Sequence, residues 1–340
     1  MARFWPEPAP STRSPATAIL LVNLGTPAAP TAAAVRPYLA EFLADPRVVE
    51  IPALIWRPIL HGIILRLRPR ASAAKYASIW SEQGSPLLHY TRRQAELLAE
   101  ALKPQHGEAL VVDFAMRYGQ PSIANKLQDL RARGCQRILI LPLYPQYAAS
   151  TTATVVDEVG RCLAKMRNQP ELRFVRSFAE DEAYIDALAS RVQAYRAEHG
   201  AGERLVMSFH GIPRRSVELG DPYQQECLLT GKRLAERLAL PAEQVLVTFQ
   251  SRFGKAEWLQ PYTQPTIEQL AREGVGRIDV LCPGFVADCL ETLEEIDMEC
   301  REAFLAHGGQ AFHYIPCLND SPVWIDALAR LARSQLSGWR

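Results

Sequence analysis

The sequence predicts an α/β protein built as two doubly wound halves, each around a parallel four-stranded sheet. Three observations predict it. Short apolar runs alternate with amphipathic stretches along the chain, the runs are nearly continuous in β-branched residues and Leu, and four of them fall before about residue 178 and four after. Alternation of this kind implies parallel sheets covered by helices. Continuous apolar runs fit strands buried on both faces.

The expected strands of the first half are 18–23, 110–116, 137–143 and 172–178, and those of the second are 204–209, 245–250, 277–282 and 311–315. The amphipathic stretches 121–133, 181–198, 223–238 and 262–273 read as helices between them. A flexible N-terminal segment over 1–17, a first domain over 18–178 and a second over 179–340 follow, with a hinge at 179–182. The last helical stretch, 322–336, fits packing on either half. No internal sequence repeat is strong enough to prove duplication.

With 340 residues, 48% hydrophobic and 22% charged, the chain has enough apolar material for a real core and does not read as disordered. A net charge of +1 offers no field that favours nucleic acid, so none is expected as a partner. Residues 1–18 are polar and Pro-rich, without the apolar stretch of a secretory leader, and no uninterrupted apolar run is long enough to span a bilayer. The seven cysteines, Cys135, Cys162, Cys227, Cys282, Cys289, Cys300 and Cys317, are odd in number and contain no C-x-x-C pair. That pattern speaks against a disulfide framework or a zinc knuckle, and for buried thiols in a reducing cytoplasm. No strand is followed by G-x-G-x-x-G, since Gly274-Val-Gly276 precedes its strand, and neither a Walker A loop nor a G-x-S-x-G elbow is present.

The strand ends carry the chemistry. They run into Asn23-Leu-Gly-Thr-Pro27, Arg117-Tyr118, Tyr144-Pro-Gln-Tyr147, His210-Gly-Ile-Pro213, Gln250-Ser-Arg252 and Pro283-Gly-Phe-Val-Ala-Asp288. Ligands of open α/β sheets bind at these carboxyl ends. His210 fits a proton acceptor or metal ligand near neutral pH, and equally a local backbone cap. Glu291, Glu295 and Glu299 recur at i, i+4, i+8, and so share one face of a helix. A solvated acidic stripe explains them as well, and Asp288-x-x-Glu291 also reads as a capping box. Tyr118, Tyr144, Tyr147, Phe249, Gln250, Trp258, Tyr262 and Phe285 cluster at the same ends, either as walls for a broad flat ligand or as core. The stretch 51–67 is strongly apolar but interrupted by Arg57 and followed by Arg66, Arg68 and Arg70. It fits an amphipathic lip touching lipid or an ordinary core helix.

Taken together and in order, these blocks resemble the ferrochelatase family. The resemblance rests on Ser208-Phe-His-Gly-Ile-Pro213 continuing through Gly220-Asp-Pro-Tyr223, joined by Val22-Asn-Leu-Gly-Thr-Pro27, Gly84-Ser-Pro-Leu87, Met116-Arg-Tyr118, Tyr144-Pro-Gln-Tyr-Ala-Ala-Ser-Thr-Thr152, Gln250-Ser-Arg-Phe-Gly254 with Trp258-Leu-Gln-Pro261, and Glu291-Thr-Leu293. It implies two Rossmann-like domains of the chelatase kind with a porphyrin cleft between them. It implies that His210 and Glu291 are the catalytic and metal-contacting pair, that Glu295 and the less certain Asp297 lead protons or metal away, and that Leu24, Ser85, Arg117, Tyr118, Tyr144, Ser251 and Trp258 contact the porphyrin. The implied reaction inserts Fe²⁺, as a substrate, into protoporphyrin IX or coproporphyrin III to give haem and two protons, with no cofactor required. Another tetrapyrrole chelatase of the same fold, or a two-lobed binding protein without chemistry, are the competing readings. The resemblance also favours the lip reading of 51–67, and with it a cytoplasmic protein in peripheral contact with a membrane. Two departures matter. Cys289 stands where some relatives carry a histidine, so a relay through that side chain is in doubt. No cysteine follows Cys317, so the [2Fe–2S] cluster of some relatives is not expected.

Overall fold

The structure is a computed structural model, and it describes residues 4–7, 16–106, 109–252, 254 and 256–339. Most of the 1–17 segment, and Phe253 of the Gln250-Ser-Arg-Phe-Gly254 block, lie outside the described residues. Residues 4–7 lie along the chain at 165–168. Trp5 N–H donates to the Lys165 carbonyl at 2.8 Å, and Arg167 sits over the Phe4 ring.

The chain divides into two compact units. Unit 1 comprises Met1–Leu143, Ala149–Arg176 and Leu328–Arg340, and unit 2 comprises Tyr144–Ala148 and Ser177–Ala327. Unit 1 is built on β1 (Ala16–Gly25), β2 (Leu110–Tyr118), β3 (Cys135–Pro142) and β4 (Glu171–Phe174), all parallel, in the order β2-β1-β3-β4. Unit 2 is built on β5 (Arg204–His210), β6 (Val245–Gln250), β7 (Arg277–Leu281) and β8 (Ala311–Tyr314), again all parallel, in the order β6-β5-β7-β8. The two orders are the same topology, with the first strand of each unit central and its second strand at the edge. A Gln-Pro pair, Gln120-Pro121 and Gln260-Pro261, follows the edge strand in each unit. Its proline carbonyl accepts from that strand, from Met116 N–H at 2.7 Å in one and from Phe249 N–H at 2.8 Å in the other.

Each expected strand is present. The first, third and fifth are deeply buried, with residues 18–22, 138–141 and 205–207 fully enclosed, as continuous apolar runs require. β4 falls furthest short of its expected length. β4 ends at Phe174 rather than 178, because after one further bond, Val175 N–H to the Ile140 carbonyl at 3.0 Å, the chain leaves the sheet. The helices Ile123–Ala132, Glu182–His199, Tyr223–Arg237 and Thr263–Arg272 match the amphipathic stretches within two residues at either end. The division into units falls inside the terminal helix Pro322–Leu336. In unit 2, Trp324 stacks on Phe178 with ring centroids 6.1 Å apart. In unit 1, Arg333 donates to Gln105 at 2.5 Å, and Arg173 donates to the Gln335 carbonyl at 2.6 Å.

The apolar stretch 51–67 belongs to unit 1. It runs through a helix (Ala53–Ile59), one π-helical turn (Leu60–Ile64) and into a second helix (Leu65–Ile79). Trp56, Leu60 and Leu65 face inward and pack with Leu43, and Trp56 Nε1–H donates to the Leu43 carbonyl at 2.6 Å. Leu54 and Leu67 are 93% and 72% exposed, with Ile55 and Ile63 beside them in the sequence also more than half exposed. The stretch therefore has a core face and, opposite it, an outward apolar face among the exposed Arg57, Arg66, Arg68 and Arg70. Among the described residues no helix is long and apolar enough to cross a membrane.

Candidate active site

In unit 2 the carboxyl ends of β5 and β6 meet the start of a π-helix. His210 is the last residue of β5 and is paired in register with Gln250, the last residue of β6. Its Nδ1 lies 2.6 Å from the Gly211 carbonyl. A carbonyl only accepts, so Nδ1 carries the proton and Nε2 of the neutral ring keeps a lone pair free for a proton or a metal ion. Gly211 is obligatory: a Cβ there would stand 2.8 Å from the Gln250 carbonyl and 3.2 Å from the Trp258 ring. The chain after Gly211 pairs with 257–259, through Leu259 N–H to the Ile212 carbonyl at 3.0 Å and Arg214 N–H to the Glu257 carbonyl at 2.9 Å. This pairing sets the half-buried Trp258 beside His210, with ring centroids 6.3 Å apart.

The segment expected as an α-helix is a π-helix over Glu291–Cys300. It makes i→i+5 hydrogen bonds in place of i→i+4. Glu291 and Glu295 are half-buried, Glu294 is buried, and only Glu299 of the expected stripe is exposed. Nor is Glu291 a capping-box partner. In that motif it would accept from the Asp288 N–H, which instead donates to Asn319 Oδ1 at 2.8 Å. The local backbone is satisfied by Thr292, whose Oγ1 accepts from Cys289 N–H at 3.0 Å and donates to Asp288 at 3.2 Å. Asp288 is buried and also accepts from Tyr314 OH and from Asn319 Nδ2 at 2.6 Å, so it ties the chain before the π-helix to the end of β8 and the chain after it.

Glu295 is clamped by Ser251, which donates its backbone N–H at 2.7 Å and its hydroxyl. Ser251 holds a left-handed backbone, φ +66°, to present both groups to one carboxylate. Asp297 is taken up differently. Arg301 donates to it through Nε at 3.1 Å and through a terminal nitrogen, and lies over the Phe312 ring. Burial, and then the charge of Glu291 and a hydrogen bond to it, push the Cys289 thiol well above its ordinary range. Cys289 thus stays protonated near neutral pH and stands against the Glu291 carboxylate as a donor. Tyr144 lies half-buried in the short piece of chain that belongs to unit 2. Among the described residues no three His, Cys, Asp or Glu side chains converge as a metal cage.

In unit 1 the matching strand ends carry Leu24, Ser85, Arg117 and Tyr118. Leu24 is half-buried, and its N–H donates to Asn23 Oδ1 at 2.8 Å. Gly25, at φ +114°, lies so close to the Tyr118 carbonyl that a Cβ would meet it at 1.8 Å. Ser85 is buried, and its carbonyl accepts from His89 N–H at 3.0 Å as a helix begins. Arg117 and Tyr118 are buried with internal partners. Arg117 donates through Nε to the Thr154 hydroxyl at 2.6 Å and pairs with Asp45 at 2.5 Å, and Tyr118 OH donates to the same carboxylate at 2.9 Å. Burial pushes the Asp45 carboxyl up, but hydrogen bonds from Thr154, Arg47 N–H and Tyr118, and then the Arg117 charge, leave it below its usual 3.8. The sequence reading singled out Arg117 and Tyr118 but not Asp45 and Thr154, their partners. It likewise named Gln250 only as one of several strand-end residues, although the register of β5 and β6 sets it opposite His210.

Comparison with known proteins identifies the family. A family model described as ferrochelatase matches residues 16–336. A ferrochelatase of Azoarcus sp. (strain BH72) is 64% identical over 340 residues, covering 100% of this chain and 93% of the relative. One of Bordetella pertussis (strain Tohama I) is 58% identical over 321 residues, covering 94% and 88%. Among solved structures, SirB from Bacillus subtilis with Fe³⁺ matches with a TM-score of 0.57 at 14% identity, over 95% of this chain and 97% of that one. CbiX, described as the terminal enzyme for siroheme biosynthesis in denitrifying bacteria, matches with a TM-score of 0.51 at 16% identity, over 94% and 99%. At those identities the structures speak for the fold alone, a two-domain Rossmann-like chelatase architecture. The family match and the identity to named relatives over nearly the whole length go further: the chain belongs to the ferrochelatase family, the lyases that insert ferrous iron into a porphyrin.

Proposed function

We propose that iron insertion in this chain runs over His210 and Glu291, with Glu295 taking protons onward. The observation that carries this reading is the commitment of His210 Nδ1 to the Gly211 carbonyl, which leaves Nε2 as a directed base or ligand at a strand end. Two porphyrin N–H bonds break, four nitrogen lone pairs bind Fe²⁺, and two protons leave, with no change in oxidation state. His210 Nε2 and the Glu291 carboxylate are the two acceptors suited to this, one nitrogen and one oxygen that hold a borderline metal ion without trapping it. Glu295, fixed by Ser251, is the carboxylate assigned to take them onward. Asp297 is a weaker relay candidate because Arg301 already holds its charge. Leu24, Ser85, Tyr144, Ser251 and Trp258 are assigned to porphyrin contact, and Arg117 and Tyr118 to bracing the β2 end behind such contacts through Asp45. Protoporphyrin IX and coproporphyrin III both fit this chemistry, and paired assays with the two separate them. We assign the protein to the cytoplasm, with the outward apolar and basic face of 51–67 as a peripheral membrane contact.

The test is steady-state insertion of Fe²⁺ under anaerobic conditions. His210→Ala and Glu291→Gln are each expected to lower kcat by about 100-fold or more, as for lost acid–base groups, with little change in porphyrin binding by fluorescence quenching. The double variant is expected to be hardly worse than the poorer single one, since groups acting as a unit are non-additive. Near-parental turnover by either folded single variant removes that residue from the mechanism.

A further inference from the structure

Gln250 is the last residue of β6, is buried, and is bonded to both sides of the site just described. Its backbone carbonyl accepts from Gly211 N–H at 2.7 Å, in the turn that carries His210. Its side-chain Nε2 donates to the Glu291 carbonyl at 2.8 Å and approaches Glu295 Oε2 at 3.4 Å. Its Oε1 accepts from Ser208 Oγ at 2.7 Å. These neighbours leave no freedom in the amide's orientation. A carbonyl and a carboxylate only accept, so the NH₂ group must face the π-helix and the oxygen must face Ser208.

Behind the amide stands a directed chain of buried hydroxyls. Ser208 has one proton, which goes to Gln250. Thr263, 2.7 Å from Ser208, must therefore donate to it, and Thr248, 2.9 Å from Thr263, must donate in turn. Ser208, Thr248 and Thr263 are buried, on β5, on β6 and at the start of the helix Thr263–Arg272. A fully satisfied buried chain of this kind holds its last member in one rotamer, because any other leaves several polar groups unpaired.

We infer that Gln250 is a positioning residue for iron insertion. It sets the first turn of the π-helix, and with it Glu291, at a defined place relative to the strand end that bears His210. The inference rests on the catalytic reading of His210 and Glu291 given above. Gln250 acts on them through main-chain bonds to Gly211 and Glu291, with its backbone carbonyl holding one and its side chain the other.

The test compares Gln250→Leu and Gln250→Glu with the parent, reading kcat with Fe²⁺ and KM for porphyrin. Gln250→Leu keeps the backbone bond to Gly211 but loses the donor to Glu291. Its kcat is expected to fall by about 10- to 100-fold, the usual range for a lost orienting partner, with porphyrin KM changed by less than about threefold. Gln250→Glu gives the sharper signature. Burial and the nearby Glu295 raise the introduced carboxyl's pKa. Ionised, it has no proton to give Glu291 and repels Glu295, whereas protonated it donates as the amide does. The ratio of its kcat to the parent's is therefore expected to climb as pH falls, which a residue that only fills space would not produce. A Leu variant within about twofold of parental kcat, or a ratio flat with pH, overturns the inference. Should the Leu variant not fold, the pH dependence of the ratio decides alone. His210→Ala and Glu291→Gln are measured in parallel. If either turns over normally, the catalytic reading fails and takes this inference with it. If both are inactive while Gln250→Glu tracks the parent at every pH, the positioning role alone is wrong.

Discussion

Arg117 shares one buried carboxylate, Asp45, with Tyr118 and Thr154, and this sharing decides what the arginine does. Its Nε and one terminal nitrogen are directed inward, so removing it leaves Asp45 charged, buried and short of its only cationic partner among these groups. Breaking such a pair costs about 3–5 kcal/mol, so Arg117→Ala is expected to lower the urea midpoint sharply. Unchanged unfolding would show that the pair is not a structural unit. The pH dependence has a defined sign. Asp45 titrates below 3.8 in the folded protein, so the stability it contributes is complete above that pH and is lost as pH falls through the lower folded value. The penalty of Asp45→Asn, measured by denaturant titration, should therefore be full at neutral pH and shrink only below about pH 3.8. A penalty that already fades between pH 7 and 5 would contradict this assignment.

Two of the elements that depart from regular α-helix bear on the proposed function. In the π-helix, Glu291 and Glu295 are half-buried rather than part of a solvated stripe, and π-helical segments are frequent at functional sites. In the 51–67 stretch, the single π turn separates two helices that share an inward face on Trp56, Leu60 and Leu65. Ile64 packs against that inward cluster, while Leu54, Ile63 and Leu67 are exposed. Replacing Leu54, Ile63 and Leu67 by Ser is thus expected to leave the thermal midpoint nearly unchanged, since surface substitutions fall within about ±0.5 kcal/mol. The same triple variant should raise porphyrin KM more than it lowers kcat, and should reduce cosedimentation with vesicles containing anionic lipid. If KM and vesicle binding both match the parent, the outward face has neither role.

At the scale of the whole molecule, the seven cysteines are all free and buried, and burial pushes every one of their thiols upward. Protonated, enclosed thiols react slowly. Native protein is expected to resist a chromogenic thiol reagent, and denatured protein to titrate all seven cysteines rapidly. Rapid labelling of the native state would mean that one of them is open to solvent. The reaction as proposed needs no cluster. Anaerobically purified protein should accordingly lack stoichiometric acid-labile sulfide, and its presence would refute that view. The two units repeat one strand order, β2-β1-β3-β4 and β6-β5-β7-β8, each with a Gln-Pro pair after its edge strand. The sequence on its own shows no repeat strong enough to reveal this, because parallel sheets constrain the pattern of apolar residues and leave their identities free.

The sequence by itself determined the alternation of strands and helices, the two four-stranded sheets and the family, and it singled out the strand ends as candidates for chemistry. These are local properties: apolar periodicity and short motifs are written within a few residues of one another. Only the tertiary structure decided what each polar group at those ends is bonded to. The capping reading of Glu291 depended on the Asp288 N–H, and that donor goes to Asn319, 31 residues away. Arg117 lies among aromatic strand-end residues in sequence, yet its carboxylate partner is 72 residues distant. Gln250 stands in the sequence as one of several strand-end residues, and the role inferred for it rests on its bond to Glu291, 41 residues further on. A side chain's periodicity reports the face it occupies, while its hydrogen-bond partner is chosen by folding, from groups that share no sequence window with it.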